Sequence, residues 1–402
     1  MNILALGTFP IIKPIHGGQR RIAAFKGFYE GHGATYTYVC IYNAEHYPRS
    51  DVGDDDWPLI VPAAKLSLVN LIGDVIAGRQ FETDEATLKH FVELIERTKP
   101  DALQLEHPFM WPLAKRLRQM VGTRGLRLIY SSHNVEGPLK EEILASWSVE
   151  RKLRRTICAE IEEMEAELCR EADLIVCVSP SDRDHYCRSQ LSADVIIVPN
   201  GVDRPPPASR YWANETAQHE FAGRRFVMTV SSAHTPNIDG LCHYLIAGGI
   251  FCVPPLKSIA ICGGISESIF NHPEYQRYAA ANSFRVQFFP KIDDNDLLAL
   301  KQSCHGVLLP LRSGGGSNLK TAEALALGKW VVATPTSLRG FEPFSDAEGV
   351  IIADDPASFR RSVHEVLQRE PLEISVASRT AREALYWDRC FADSGLAKAL
   401  FL

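Results

Sequence analysis

The chain has 402 residues, 46% hydrophobic and 23% charged, with a formal net charge of −6. This balance excludes a disordered or fibrous chain and argues against broad nucleic-acid binding, which shows as a basic surplus. The length suits two ordinary domains. No segment reaches the roughly eighteen uninterrupted apolar residues of a membrane span; the best, Leu59 to Ala77, is broken by Lys65, Asn70 and Asp74.

The start, Met1 to Leu6, has no basic flank and runs into Gly7-Thr8-Phe9-Pro10, so it reads as a first strand and loop and not as a signal peptide. Further strands are expected at Thr35–Ile41, Ala102–Leu105, Leu126–Ser131, Leu174–Val178 and Val195–Val198, after the first at Asn2–Leu6. Between them Leu88, Phe91, Val92 and Ile95 keep helical spacing, and Pro100 closes that helix. Glu150 to Ala172 predicts a long helix with both charge signs on a solvated face. Val202 to Arg225, with Pro205-Pro206-Pro207, reads as a linker. Strands then resume at Phe226–Val230, Ile259–Cys262, Val286–Phe289, Val307–Leu311, Trp330–Ala333 and Val350–Ile352. After Pro371 the pattern is helical, with a junction at Trp387-Asp388. Such alternation implies parallel sheets covered by helices on both faces. The expected fold class is α/β, two Rossmann-like doubly wound domains facing across a cleft. Their bounds are residues 1–205 and 225–386, joined by a linker at 206–224, with 387–402 as a C-terminal helix packing back on the first domain.

Ten cysteines are scattered without a C-x-x-C spacing, and Cys40, Cys177, Cys252 and Cys262 lie in apolar runs. They predict buried free thiols in a reducing compartment, hence the cytoplasm.

The most informative stretch is Arg312 to Glu323. Gly314, Gly315 and Gly316 follow an apolar run, Gly306 to Leu311, and precede a helix ending near Gly328. Glycines at a strand's carboxyl end let the backbone approach an anion, and the helix behind offers unpaired N–H groups. Lys320 falls in the first helical turn, where the helix dipole disfavours a cation unless a phosphate rests there. The bland alternative is an exposed Lys320–Glu323 pair, but lysine before glutamate is the weaker order. The Walker A spacing is absent, and Gly7-Thr8-Phe9-Pro10 is not the G-x-G-x-x-G of a dehydrogenase.

The run from Gly314 through Ser317-Asn318-Leu319-Lys320-Thr321-Ala322-Glu323 to Thr334 resembles the donor-binding signature of retaining GT-B glycosyltransferases, glycosyltransferase family 4 (group 1). Gly17-Gly18, Ser132-His133-Asn134, Ala172 to Val176, Val198 to Asp203 and Pro236-Asn237-Ile238-Asp239 extend the resemblance over nearly the whole chain. It implies that Lys320 neutralises the donor diphosphate and Glu323 binds the ribose. It also implies that Gly17 and Gly18 approach the phosphates, that His133 lies near the reacting sugar, and that Pro290, Lys291 and Ile292 contact the base. Two departures stand out. Gly315 occupies the place of a sugar-reading glutamate, and Ser231-Ser232 replace a Gly-Arg pair, so Ser232 stands where an arginine often meets the diphosphate. Arg20 and Arg21 fit either a substitute charge or an exposed helix face.

The resemblance implies a retaining transfer of sugar from a UDP- or GDP-linked donor to a glycan or lipid-linked acceptor, in cell-surface polysaccharide biosynthesis. It implies no metal and no cofactor, the nucleotide-sugar being a substrate. Asp54-Asp55-Asp56 reads as a solvated loop and Asp293-Asp294 as a helix start. Lys115-Arg116-Leu117-Arg118, with Leu113, and Arg151-Lys152-Leu153-Arg154-Arg155 fit either ordinary helix surface or peripheral contact with the inner membrane face. The alternative reading is a non-catalytic nucleotide-sugar-binding subunit of a glycan-assembly complex.

Overall fold

The computed structural model describes residues 1–120, 126–188, 192–205, 221, 223–313 and 317–401. Most of the expected linker, and Gly314, Gly315 and Gly316, lie outside the described residues. The chain divides into two compact units, Met1–Pro199 with Cys390–Leu402, and Asn200–Arg389.

In unit 1 seven parallel strands take the order β3-β2-β1-β4-β5-β6-β7. They are β1 Asn2–Gly7, β2 Thr35–Tyr42, β3 Trp57–Pro58, β4 Ala102–Leu105, β5 Arg127–Ser131, β6 Leu174–Cys177 and β7 Asp194–Ile197. Residues 3–6 of β1 and all of β4 and β6 are buried. Both faces are covered by helices, which is why these strands read as near-continuous apolar runs. β3 was not foreseen: it pairs only through Ile41↔Trp57 and Tyr42↔Pro58, too short to leave a pattern, and Pro58 suits an edge. The covering helices include α1 (Gly17–Gly31), α2 (Trp111–Met120) and α3 (Arg151–Glu171). The expectation that the charged α3 is solvated holds for one face; Ile157, Ile161, Met164 and Leu168 form a stripe buried in the core. The C-terminal Phe391 stacks on Phe28 of α1 at 4.5 Å and meets Phe25 edge-on at 5.0 Å.

Unit 2 repeats the scheme with six parallel strands ordered β10-β9-β8-β11-β12-β13. They are β8 Phe226–Val230, β9 Ser258–Cys262, β10 Val286–Phe289, β11 Gly306–Leu309, β12 Trp330–Ala333 and β13 Val350–Ile352. Alternate residues feed two cores. Val227, Ile259 and Ile261 pack with Phe359, Val363 and Val366 on one face, and Phe226, Met228 and Leu309 pack with Ala322 and Leu325 on the other. Helices α4 (Thr235–Leu241), α5 (Asp294–Ser303), α6 (Leu319–Ala326) and α7 (Pro356–Gln368) supply those faces. The two sheets share the doubly wound α/β order, with the first strand of each unit beside its fourth (β1·β4 and β8·β11). There the winding reverses and the loops at the carboxyl ends part, opening a crevice for a ligand.

All ten cysteines are free, and Cys187 alone is exposed. No helix among the described residues is long and apolar enough to cross a membrane.

Gly240 fixes how closely α4 approaches the end of β11. A Cβ there would lie 2.1 Å from the Pro310 carbonyl oxygen, a backbone atom that cannot rotate away. Gly240→Ala is expected to cost about 1–3 kcal/mol by overpacking. Urea unfolding should show a lower midpoint; an unchanged midpoint would contradict the contact.

Candidate active site

Four chain segments meet at the switch point of unit 2. Asn318 caps α6 by accepting the Lys320 N–H at 3.1 Å, which fixes where the first turn begins and where the Lys320 side chain leaves it. That side chain turns toward β8. Its Nζ donates to Ser231 Oγ at 3.1 Å and to Asn237 Oδ1 at 2.6 Å. Asn237, in the first turn of α4, donates in turn to the Ser232 carbonyl at 3.1 Å and to its hydroxyl at 3.3 Å. Ser232 thus reaches the lysine through Asn237. Burial lowers the Lys320 ammonium to about 8, opposed by the nearby Glu323 charge. His234 is held low by burial and then by Lys320. Ser317 is anchored from the other side, its carbonyl and hydroxyl accepting from Asn200 Nδ2 at 3.1 and 3.0 Å.

Glu323 does not pair with Lys320, although the two share a helix face. Its Oε2 takes Lys301 Nζ of α5 at 2.8 Å, with both side chains largely buried. Lys301, Lys320 and Glu323 line a small cavity whose floor is Met228, Val230 and Leu309. Leu319 opens α6. Pro290, Lys291 and Ile292 follow β10 at the sheet's outer edge, with Pro290 and Lys291 exposed, and lead into the Asp293 cap of α5. Lys301 and His234 lie in none of the motifs that carry the resemblance, whereas Asn200 and Asn237 lie in two of them; the position of Asn237 two residues into a helix that follows β8 is the signal for its place at the site.

In unit 1, Gly17 and Gly18 form the first turn of α1 and not a free loop. His16 caps it, its Nδ1 accepting the Gln19 N–H at 3.4 Å while Gln19 Oε1 accepts the His16 N–H at 3.2 Å. Burial and then Arg20 bring the His16 pKa down to about 4. A side chain on Gly18 would sit 2.9 Å from the Phe9 ring, so the turn is closed against the loop after β1.

His133 follows β5 and is buried. Its Nε2 lies 3.1 Å from Glu106 Oε2, at the end of β4, and its ring is 4.3 Å from that of His107. Burial, then Arg21 and His16, hold it well below the usual imidazole value, so the ring is neutral. The loop is pinned from behind: Ser132 Oγ donates to the Asn134 carbonyl at 2.9 Å and lies 2.7 Å from the Tyr186 hydroxyl.

Several expectations need correcting. Arg21 is not on an exposed face: it is 1% exposed and donates to the Val198 carbonyl at 2.9 Å. Leu113 and Leu117 are fully buried, because their side of α2 faces the unit 1 core, so they offer nothing to a membrane. The basic residues beside them are ion-paired, Lys115 with Glu167 at 2.9 Å and Arg118 with Glu171 at 3.5 Å. In the acidic loop, Asp56 accepts the Cys40 and Gly53 N–H groups and Asp55 pairs with Arg97, so these carboxylates hold structure. No cluster of three metal-ligating side chains occurs among the described residues.

Two doubly wound units, the second carrying a lysine in the first turn after a glycine-rich strand end, define a GT-B glycosyltransferase. Residues 75–204 match the description Glycosyltransferase Family 4, and residues 226–369 match Glycosyl transferases group 1. The chain belongs to family 4 of the group 1 glycosyltransferases. Sucrose-phosphate synthase from Thermosynechococcus elongatus superposes over 100% of this chain and 99% of its own, at 16% identity and TM-score 0.71. Anabaena HepE, solved in complex with UDP, covers 100% and 99% at 13% identity and TM-score 0.63. WaaG, a glycosyltransferase involved in lipopolysaccharide biosynthesis, covers 99% and 98% at 12% identity and TM-score 0.59. No curated protein matches the chain in sequence.

The lowered Lys320 value has a testable sign. A bound diphosphate stabilises the ammonium and raises its pKa, so binding near pH 8–9 takes up a proton. Affinity for methyl diphosphate, which is itself fully ionised by pH 8, is expected to hold below pH 8 and to fall by up to about tenfold per unit above it. Calorimetry in buffers of different ionisation enthalpy would read the uptake; proton release instead would refute the assignment.

Proposed function

We propose that the protein is a retaining glycosyltransferase that takes a nucleoside-diphosphate-sugar, UDP- or GDP-linked, and transfers the sugar to a glycan or lipid-linked acceptor. The observation that carries this reading is the Lys320 ammonium, half-buried in the first turn of α6 and held by two neutral oxygens, Ser231 Oγ and Asn237 Oδ1. Charge that develops on a departing diphosphate is what such a group stabilises. The N–H groups at the start of α6 add to it. Lys320 performs the neutralisation, and no metal is required. Glu323, with Lys301 against it, binds the ribose. The acceptor hydroxyl attacks on the face the diphosphate leaves, and a diphosphate oxygen takes its proton, so the anomeric configuration is retained. His133 orients a sugar and is not the base, since a ring held neutral this far below its usual value is a poor proton acceptor.

HepE binds UDP and WaaG serves lipopolysaccharide synthesis; they motivate a UDP-sugar as the first donor to try and cell-surface polysaccharide assembly, at the cytoplasmic membrane face, as the setting.

Thermal stabilisation by a panel of UDP- and GDP-sugars identifies the donor, and turnover with it tests the activity. Lys320→Ala is expected to lower kcat roughly 10²–10³-fold, as loss of a preorganised charge partner does, with the unfolding temperature little changed. Near-normal transfer by this variant would refute the role. Tight nucleotide-sugar binding without turnover on any acceptor would instead favour the non-catalytic subunit.

A further inference from the structure

Glu106 is fully buried at the end of β4, and Gln104 and Tyr36 both donate to its Oε1. Tyr29 donates its hydroxyl to Gln104 Oε1 at 2.7 Å, which turns the Gln104 amide nitrogen toward Glu106 Oε1. The Tyr36 hydroxyl donates to the same oxygen at 3.2 Å. Both phenols are pushed well above their usual values by burial, so they keep their protons. With Oε1 accepting twice, Oε2 faces His133 Nε2 at 3.1 Å. Burial raises the Glu106 pKa, opposed by hydrogen bonding from Gln104 and Ser131 and by the nearby His107 and Arg21; two donors on one oxygen and a buried cation beside it keep the carboxylate ionised at neutral pH. An ionised carboxylate has no proton to give, so the imidazole must supply it. His133 Nδ1 makes no hydrogen bond among the described residues.

We propose that Glu106 is a positioning residue: it holds His133 in the tautomer protonated on Nε2, so that Nδ1 is presented as a hydrogen-bond acceptor for a sugar hydroxyl. The tautomer stands on this geometry and on the ionised state of Glu106; the hydroxyl as ligand rests on the reading of the chain as a sugar-transferring enzyme. The arrangement differs from a lone histidine, which is free to choose either tautomer and therefore cannot discriminate a donating from an accepting partner. Here the choice is made by residues more than twenty positions away in sequence, on the neighbouring strand.

A substitution inverts the arrangement without changing its shape. In Glu106→Gln the carbonyl oxygen is claimed by Tyr36 and Gln104, so the new amide group must point its N–H at His133 Nε2. That nitrogen then accepts, and the proton moves to Nδ1. Long-range 1H–15N correlation on the full-length protein, with the resonance assigned through His133→Gln, reads the tautomer directly. The wild type is expected to show protonated Nε2 and Glu106→Gln protonated Nδ1. The same variant is expected to lose roughly 10- to 100-fold in kcat, the scale for losing a partner that orients a functional histidine, while thermal stabilisation by UDP is unchanged. Wild-type His133 protonated on Nδ1 overturns the positioning role, and this measurement decides it even if the variant fails to fold. An inverted tautomer with undiminished kcat overturns the sugar-hydroxyl contact. A wild type inactive on every donor strikes the proposed function and leaves the tautomer assignment standing.

Discussion

The Lys320 ammonium is a positive charge placed at the positive end of a helix, with burial lowering its pKa to about 8. Its two hydrogen-bond partners, Ser231 Oγ and Asn237 Oδ1, are neutral, and the nearest carboxylate on its own helix is engaged by Lys301. Held this way, the charge is poorly compensated by the protein, and an anion at the same point recovers what burial costs. The rest of unit 2 follows from keeping it there. Gly240 lets α4 close on the end of β11, which brings Asn237 into range. The Asn318 cap sets the first turn of α6, and Asn200 ties down Ser317 just before it.

Unit 1 uses the same fold differently. At its switch point the polar groups lie on strands, Gln104 and Glu106 on or beside β4, and are fully buried and mutually bonded. A buried network of this kind is costly when incomplete and rigid when complete. Here it runs from Tyr29 through Gln104 and Glu106 to His133, so the orientation of one imidazole is fixed by residues reaching back into α1. Unit 2 therefore holds a buried cation between neutral oxygens, and unit 1 a neutral imidazole oriented by a buried carboxylate.

Much of this was legible in the sequence, for reasons the structure makes plain. Central strands covered on both faces leave near-continuous apolar runs, so β8 and β12 fall where the pattern put them, and the shorter apolar runs of the edge strands β10 and β13 match as well. Lys320 stood out because a lysine opposes the helix dipole. Its partners did not, because Ser231 and Asn237 lie 89 and 83 residues away and only the parallel β8·β11 pairing brings them near. The Glu323 partner is hidden for a related reason: helical spacing places Glu323 beside Lys320, but Lys301 on a neighbouring helix is the cation that reaches it. Leu113 and Leu117 sit among basic residues, which fits either helix surface or a membrane contact; at helical spacing an apolar pair belongs first to the core. Glu106 had a signal that went unused. Gln104 and Glu106 are polar residues inside an otherwise apolar strand run, and a strand covered on both faces cannot leave them unsatisfied.

The serines that replace a Gly-Arg pair change the charge balance around Lys320. An arginine at Ser232 would place a second cation near Lys320. At an effective dielectric of about 20, two like charges 4 Å apart repel by about 4 kcal/mol, so such a pair needs the anion in place before it is comfortable. With serines, Ser231 lends a hydroxyl to Lys320 and Ser232 braces Asn237, which also accepts from the lysine. The site has exchanged a second charge for orientation of the first. Attraction for a free diphosphate is weaker with one cation than with two, while the cation that remains is directed by fixed oxygens and already partly stripped of water. Interactions of that preorganised kind favour the state in which charge is developing on the leaving oxygen over the state in which it merely rests.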